Sequence, residues 1–398
     1  MKILIITTVS GFLQQFLRAD IDALQKRGWE IYYASNFSHP VYVCDREEMK
    51  RSGITCFDIP IEKSPAKIMS NLSALRQIET IIEKFHIDVI HCHTPLGGAL
   101  GRFAGNHPYS DGRKPKVIYT THGFHFYKGA PKKDFLLWKN AEKILAGMTD
   151  VLITVNREDY GAARTFHLRE GGAVYRIPGV GFNPKRFHPD AADGAVLRKE
   201  LGIPDSTFVF LTAGELVRNK NQMVLVQAAK RLKAEDKVFR ILTLGEGQER
   251  ESLQAAIDRE DLGKEVQLFG YRMDIERFYR AADCFLFPSI REGFGMAAVE
   301  AMASGLPLIA ADNRGTREYA GENAFTCRYN DVNGFTLFMK RIMEEPETRR
   351  TMSRAGLELA ENFTRDKTEA ILDSIYGTLE RNDGKRNDGK RNGEEKEK

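Results

Sequence analysis

Cysteine is scarce in this 398-residue chain, and the five present (Cys44, Cys56, Cys92, Cys284, Cys327) form no C-x-x-C pair. Their odd number and scatter exclude a disulfide framework and fit a reducing cytosol. Long apolar runs are also lacking. No stretch approaches the roughly 20 apolar residues of a membrane span, so any membrane contact is expected to be peripheral. The opening MKILIITTVSGF is short, is interrupted by Thr7, Thr8 and Gly11, and is followed by no small-residue cleavage site. It reads as a buried first strand rather than a signal peptide. Charge of one sign is missing too: the net +4 is too small to argue for nucleic acid. Its placement is uneven, about +7 over residues 1–190 and about −3 beyond. A basic first half suits anionic headgroups or a phosphorylated acceptor, and equally a solvated surface with no partner. The Gly245-x-Gly247 pair of LGEGQE is not completed to G-x-G-x-x-G, which counts against a dinucleotide fingerprint.

What is present is alternation. KILIITT, EIYYAS, IDVIHCHT, KVIYTTHGF and DVLITVN are short apolar runs ending in polar residues, separated by segments of helical period such as FLQQFLRADIDALQKRG, KIMSNLSALRQIETIIEKFH and KDFLLWKNAEKILAGM. That pattern predicts parallel strands under helices. A second series, TFVFLTAGE, FRILTLGEG, VQLFGYR, CFLFPS and LPLIAAD, repeats it. The expected fold class is α/β: two tandem doubly wound Rossmann-like domains with an interdomain cleft. The Gly- and Pro-rich IPGVGFNPKRFHPDAADGA marks the join, giving domains 1–185 and 186–375. Residues 376–398 contain the repeated pentad RNDGK and are expected to form a disordered polar tail. In such sheets ligands lie beyond the carboxyl ends of the strands, so the polar residues after each apolar run are the ones to inspect.

The segment REGFGMAAVEAMASGLP sets Glu292 before a Gly-rich turn, Gly293-Phe294-Gly295, and Glu300 inside the helix behind it. Free N–H groups at a helix start attract phosphate, and the two acids could then reach a sugar and a ribose diol. On spacing alone, ordinary acids decorating a helix start explain the pattern as well. The wider sequence bears on the choice. EGFGMAAVEAMASGLPLIA resembles the E-x7-E region of glycosyltransferase family 4, retaining enzymes of the glycosyltransferase-B architecture that use nucleotide sugars. HCHTPLGGALGRFAG, VIYTTHGFHFYKGAP, DVLITVNREDY and IPGVGFNPKRF resemble its bacterial capsule and exopolysaccharide branch; GELVRNKNQ, LGEGQERESL and GYRMDIERFYRAADCFLFPS match its C-terminal half. The resemblance covers about residues 1–375, in order.

The resemblance implies roles. Glu292 would lie by the donor sugar, and Glu300 would hold the ribose. Gly293, Phe294, Gly295 and Met296 would present backbone to diphosphate and sugar, and Lys220, assisted by Arg218, would pair with the phosphates. A strand end followed by Arg-x-Lys is a reasonable diphosphate clamp, though a solvated basic loop reads the same way. Gly245 would be donor-side, and Gly270, Tyr271 and Arg272 would contact the base by their backbone. Many family members carry Arg where this chain has Glu215, which leaves that acid unassigned. His122 would stand near the sugar and the leaving phosphate, Gly11 would let the first loop approach the diphosphate, and His93 and His125 would be acceptor-side. His91 and His93 share a strand face and invite a metal reading, but the sequence suggests no third or fourth ligand. The expected activity is transfer of a hexose or N-acetylhexosamine, with uridine as the base, to a lipid-diphosphate-linked or glycan acceptor. It would need no metal or cofactor and no nucleic acid, and would take place at the inner face of the plasma membrane. A nucleotide-sugar epimerase of the same architecture, an inactive sugar-binding protein and a nicotinamide dehydrogenase are the alternatives.

Overall fold

A computed structural model describes residues 1–38 and 42–394. The chain divides into two compact units, residues 1–181 with 365–398, and residues 182–364.

In the first unit the apolar runs form β1 (Lys2–Ile6), β2 (Glu30–Ser35), β3 (Ile54–Asp58), β4 (Val89–His93), β5 (Lys116–Thr121), β6 (Val151–Thr154) and β7 (Ala173–Arg176). They pair in parallel in the order β3-β2-β1-β4-β5-β6-β7. The chain reverses direction across the sheet between β1 and β4, so the loops after these two strands diverge and leave a crevice there. The second unit repeats the design with β8 (Phe208–Ala213), β9 (Phe239–Leu244), β10 (Val266–Gly270), β11 (Cys284–Phe287), β12 (Leu308–Ala311) and β13 (Ala324–Cys327). Their order is β10-β9-β8-β11-β12-β13, all parallel, with the switch between β8 and β11. Central strands are buried on both faces, as parallel sheets require; β1 and β11 hold residues of near-zero exposure throughout their cores.

The domain boundaries differ from those expected. The first falls after Gly181, and residues 365–375 belong with the first unit rather than the second. A helix over Arg365–Glu394 carries the chain back. Its Leu372, Ile375, Tyr376 and Leu379 are buried, and its acids meet the end of the second helix of the unit. Asp373 lies 2.7 Å from Arg27 Nε, and Glu380 accepts from Arg27 Nη1 at 2.6 Å and from Trp29 Nε1 at 2.7 Å. Residues 376–380 are therefore anchored and are not part of a disordered tail. The backbone continues helical through Glu394. Residues 395–398 lie outside those described. The segment expected as one helix from Phe12 breaks at Leu17 (φ −113°, ψ 22°) into Phe12–Phe16 and Arg18–Lys26.

Candidate active site

In the second unit the loop after β8 holds Arg218 and Lys220 in a single 3-10 turn, closed by Asn221 at φ 57°. Asparagine tolerates this left-handed conformation better than most residues. Two asparagines staple that loop to the one after β11. Asn219 donates to the Arg291 carbonyl (2.9 Å) and accepts from Ile290 N (2.8 Å), while Asn221 donates to Pro288 O (3.1 Å) and Tyr329 O (2.7 Å). The result brings Lys220 Nζ to 2.5 Å from Glu292 Oε1, with only 12% of the Glu292 side chain exposed. Opposite charges thus meet at the switch point, across the two loops where the sheet diverges.

The lip beneath Glu292 is crowded. A Cβ on Gly315 would stand 2.8 Å from Glu292 Cβ and from the Phe294 carbonyl. Arg314, buried, donates from Nε to the Glu292 carbonyl at 3.3 Å. Gly295 has φ 92°, and a Cβ there would meet Phe287 at 2.7 Å and Tyr319 Oη at 2.8 Å, so glycine is required on both counts. Phe294 turns its ring into the core against Tyr319 and Phe363, leaving backbone at the turn. The helix Met296–Ala303 follows with no side-chain cap, a start whose first-turn N–H groups suit an anion. Glu300 is half-buried, and burial pushes its carboxyl up to about 7, opposed by the charge of Arg186 and the hydroxyl of Tyr279, 3.3 Å from Oε2.

The remaining donor-side candidates are more mixed. A Cβ on Gly245 would collide with the Gly214 carbonyl and one on Gly247 with that of Leu216. Glu246 O accepts from Leu216 N (2.9 Å), and Glu249 N donates back to Leu216 O (2.8 Å). These glycines are thus required by loop-to-loop packing whatever binds there. Gly270 (φ 73°) ends β10, Tyr271 is exposed, and Arg272 is engaged in a paired contact with Asp274 at 2.9 and 2.7 Å. Arg218 and Glu215 are exposed, and the Glu215 carbonyl accepts from Gln222 Nε2 at 3.2 Å.

In the first unit, histidines gather at the ends of β4 and β5. His93 Nδ1 lies 3.2 Å from His122 Nε2, and the His91 and His93 rings lie tilted at 36° with centroids 4.1 Å apart. Phe12 sets its ring 5.0 Å from that of His122. Burial lowers His122 to about 4 and His91 to about 3, and holds His93 well below the ordinary range. At neutral pH these rings are uncharged, so His122 acts as a hydrogen-bonding group and not as a cation. The structure adds a third member to the pair that invited a metal reading: buried Asp20, with atoms of Asp20, His91 and His93 within 4.8 Å of one another. Two of these three side chains are already engaged with neighbours, however, and only His93 Nε2 is left without a partner among the described residues. His91 Nδ1 meets Tyr376 Oη at 2.9 Å, His91 Nε2 meets Thr120 Oγ1 at 2.7 Å, and Tyr376 donates to Asp20 at 2.8 Å. Gly11 stands where a Cβ would be 2.6 Å from the Tyr42 carbonyl, and the His125 ring lies tilted with its centroid 5.1 Å from that of Trp138. The helix Lys132–Ala146 turns Phe135 and Trp138 toward the core and exposes Leu136, Leu137 and Ile144 beside Lys132, Lys133 and Lys143.

Sequence reasoning missed Asp20, Tyr376, Asn219, Asn221, Tyr279, Arg314 and Tyr319. The asparagines of RNKN carried a usable signal, because a polar pair flanking a lysine after a strand predicts a braced turn. The others act through contacts far apart in sequence.

The comparisons with known proteins agree on one family. The sequence model described as Glycosyl transferases group 1 matches residues 194–358, and the one described as Glycosyl transferase 4-like matches residues 2–156. EpsD of Bacillus subtilis (strain 168), named as a glycosyltransferase, is 35% identical over 378 residues, covering 94% of this chain and 96% of its own. The UDP-Gal:alpha-D-GlcNAc-diphosphoundecaprenol alpha-1,3-galactosyltransferase of Escherichia coli is 28% identical over 302 residues, 73% of this chain and 76% of its own. Among solved structures, sucrose-phosphate synthase from Thermosynechococcus elongatus superposes with a TM-score of 0.78 at 21% identity, over 95% of this chain and 99% of its own. HepE of Anabaena, in complex with UDP and glucose, gives 0.76 at 18% identity, over 95% of this chain and all of its own. At these identities the two structures show the fold.

Proposed function

The chain belongs to the group 1 glycosyl transferases, and from that premise we propose that it moves a hexose or N-acetylhexosamine, with retention, from a UDP-sugar to a lipid-diphosphate-linked glycan. The observation that carries this reading is the Lys220–Glu292 pair at the switch point of the second sheet, beside an uncapped helix start. Without substrate, the two charges neutralise each other. With a donor bound, Lys220 turns to the diphosphate and Glu292 faces the transferred sugar. The bond between the anomeric carbon and the phosphate oxygen breaks, its electron pair stays on the diphosphate, and Lys220 and the first-turn N–H groups stabilise the added charge. The acceptor hydroxyl attacks the same face and gives its proton to the departing phosphate oxygen. Glu300 holds the ribose, and His122 hydrogen-bonds the sugar or the leaving group. Because cationic and helix-start groups serve the diphosphate, no divalent ion is required. The uridine base is supported by HepE, solved in complex with UDP and glucose, and the lipid acceptor by the Escherichia coli relative, which is named for a diphosphoundecaprenol-linked acceptor.

A panel of nucleotide sugars with lipid-diphosphate acceptors, run with and without excess chelator, tests this. Glycosylated product from a UDP-sugar in both arms is expected. Release of a new free hexosamine without acceptor, or loss of activity in chelator with rescue by magnesium, overturns it. No described helix is long and apolar enough to cross a membrane. The proposed site of action is the inner membrane face, reached through Leu136, Leu137 and Ile144 with the surrounding lysines. Vesicle sedimentation at low salt should show a preference for anionic lipid that Leu137→Ser with Lys133→Ser abolishes.

A further inference from the structure

His91 and His93 point to the same face of β4, two residues apart, and both are fully buried. Their surroundings differ in one respect. His91 has a partner on each ring nitrogen, Tyr376 and Thr120. His93 meets His122 through Nδ1, while its Nε2 has no partner among the described residues. A neutral histidine carries one ring proton, so the pair His93–His122 has two arrangements. If His122 Nε2–H donates to His93 Nδ1, the His93 proton must sit on Nε2, as a buried N–H with no acceptor. If His93 Nδ1–H donates to His122 Nε2, the unpaired atom is only a lone pair. Orphaned buried N–H groups are rare, and unpaired acceptors are better tolerated. Burial keeps both rings uncharged, so a doubly protonated pair does not compete.

We infer that His93 is a positioning residue that holds His122 in the Nδ1–H tautomer, leaving that N–H as the donor His122 offers. His93 is itself held by its close, tilted contact with the ring of His91, which Tyr376 and Thr120 lock in place. The consequence for chemistry rests on the proposed placement of His122 beside sugar and diphosphate. Both present oxygen atoms. An Nδ1–H strengthens its hydrogen bond as negative charge develops on the diphosphate, whereas a bare Nδ1 could only accept from a sugar hydroxyl and would set a lone pair against the diphosphate oxygens. His93 therefore acts on turnover through His122 and makes no contact of its own with substrate.

Histidine-selective 15N labelling of the full chain, with long-range proton–nitrogen correlation, reads each tautomer directly. His122 and His93 should both carry the proton on Nδ1. His93→Asn keeps an N–H near the Nδ1 position, and His93→Leu removes it. The Asn variant should retain kcat within about threefold, while the Leu variant loses about ten- to a hundredfold at an unchanged donor KM. A wild-type His122 protonated on Nε2, or equal impairment of the two variants with both folded, overturns the inference. If His93→Leu fails to fold, the wild-type spectrum decides. Full turnover in His122→Ala would instead remove the proposed role of His122 and, with it, the catalytic consequence, while the tautomer result would stand by itself.

Discussion

Glu292 and Glu300 share one stretch of chain and meet different surroundings. Glu292 is paired with Lys220 at the lip, where charge develops as the glycosidic bond breaks. Glu300 lies within the helix beside Tyr279, and its proposed partner, the ribose, does not change during the reaction. An interaction made only in the transition state affects turnover, and one made throughout affects donor binding. Glu292→Gln should therefore lower kcat by about two orders of magnitude or more, and Glu300→Gln should chiefly raise the donor KM. Loss of turnover at saturating donor in Glu300→Gln, with only KM changed in Glu292→Gln, would reverse the assignment. Glu300 also has a pH signature. Its carboxyl rises from an ordinary 4.5 to about 7 on folding, so between those values the folded state holds more protons than the unfolded chain. Stability then falls as pH rises through that window, and Asp20, raised from 3.8 to about 7, acts in the same direction. The buried histidines His91, His93 and His122, held below 6.5, oppose this up to about that pH, so the Glu300 share is read by difference: the Tm of Glu300→Gln relative to the unsubstituted protein should rise from pH 5 to pH 7.5.

At the level of elements, the glycines of the helix Pro95–Ala104 reverse the usual expectation. Replacing a helical glycine by alanine ordinarily gains about 0.5–1 kcal/mol. Here a Cβ on Gly101 would lie 2.7 Å from Cys92 Cβ, and one on Gly98 would enter the Tyr119 ring. The helix can lie on β4 and β5 only because these positions have no side chain. Gly161, in the helix Arg157–Ala163, has nothing within 4 Å of its would-be Cβ. Gly161→Ala should raise Tm slightly, while Gly101→Ala should lower it by several degrees, because overpacking costs about 1–3 kcal/mol. Thermal melts of both variants check the opposed signs. The same physics decided what could be read in advance. β1, β8 and β11 are near-continuous apolar runs because both their faces are covered, and β4, β5 and β9 keep an apolar core with few polar residues. Of the four edge strands, β3, β7 and β13 carry weaker, partly exposed apolar signals and escaped notice, whereas β10, also partly exposed, was still readable from VQLFG. Glu292 and Lys220 were legible because they follow β11 and β8, which flank the switch point, and His122 because it follows β5, all three within motifs that resemble the family's. Asp20 was not, because a buried acid in helix Arg18–Lys26 looks like any polar residue until Tyr376 is brought to it.

For the whole molecule, the least legible feature is the return of the chain to its first unit. The helix after Thr364 joins residues more than 350 positions apart, as in Trp29 with Glu380 and Asp20 with Tyr376. Two truncations separate its anchored part from the rest. Removing residues 381–398 leaves Leu372, Ile375, Tyr376, Leu379 and Glu380 in place, and every contact named above with them. This truncated chain should melt within about 2 °C of the full protein and transfer sugar in solution at the same rate. Removing residues 365–398 strips four buried apolar side chains, each worth about 1.5–3 kcal/mol. It also leaves Arg27, Trp29 Nε1 and His91 Nδ1 without their partners, at about 1–3 kcal/mol for each buried group. Those losses together match or exceed the 5–15 kcal/mol by which a domain of this kind is stable. The shorter chain should therefore lose the cooperative melt of the first unit, seen by calorimetry as one transition where the full chain has more heat. A drop of many degrees on removing only 381–398 would show that the polar repeat itself packs on the body. An intact first-unit transition after removing 365–398 would show that the returning helix is dispensable and that His91 is held by β4 and β5 alone.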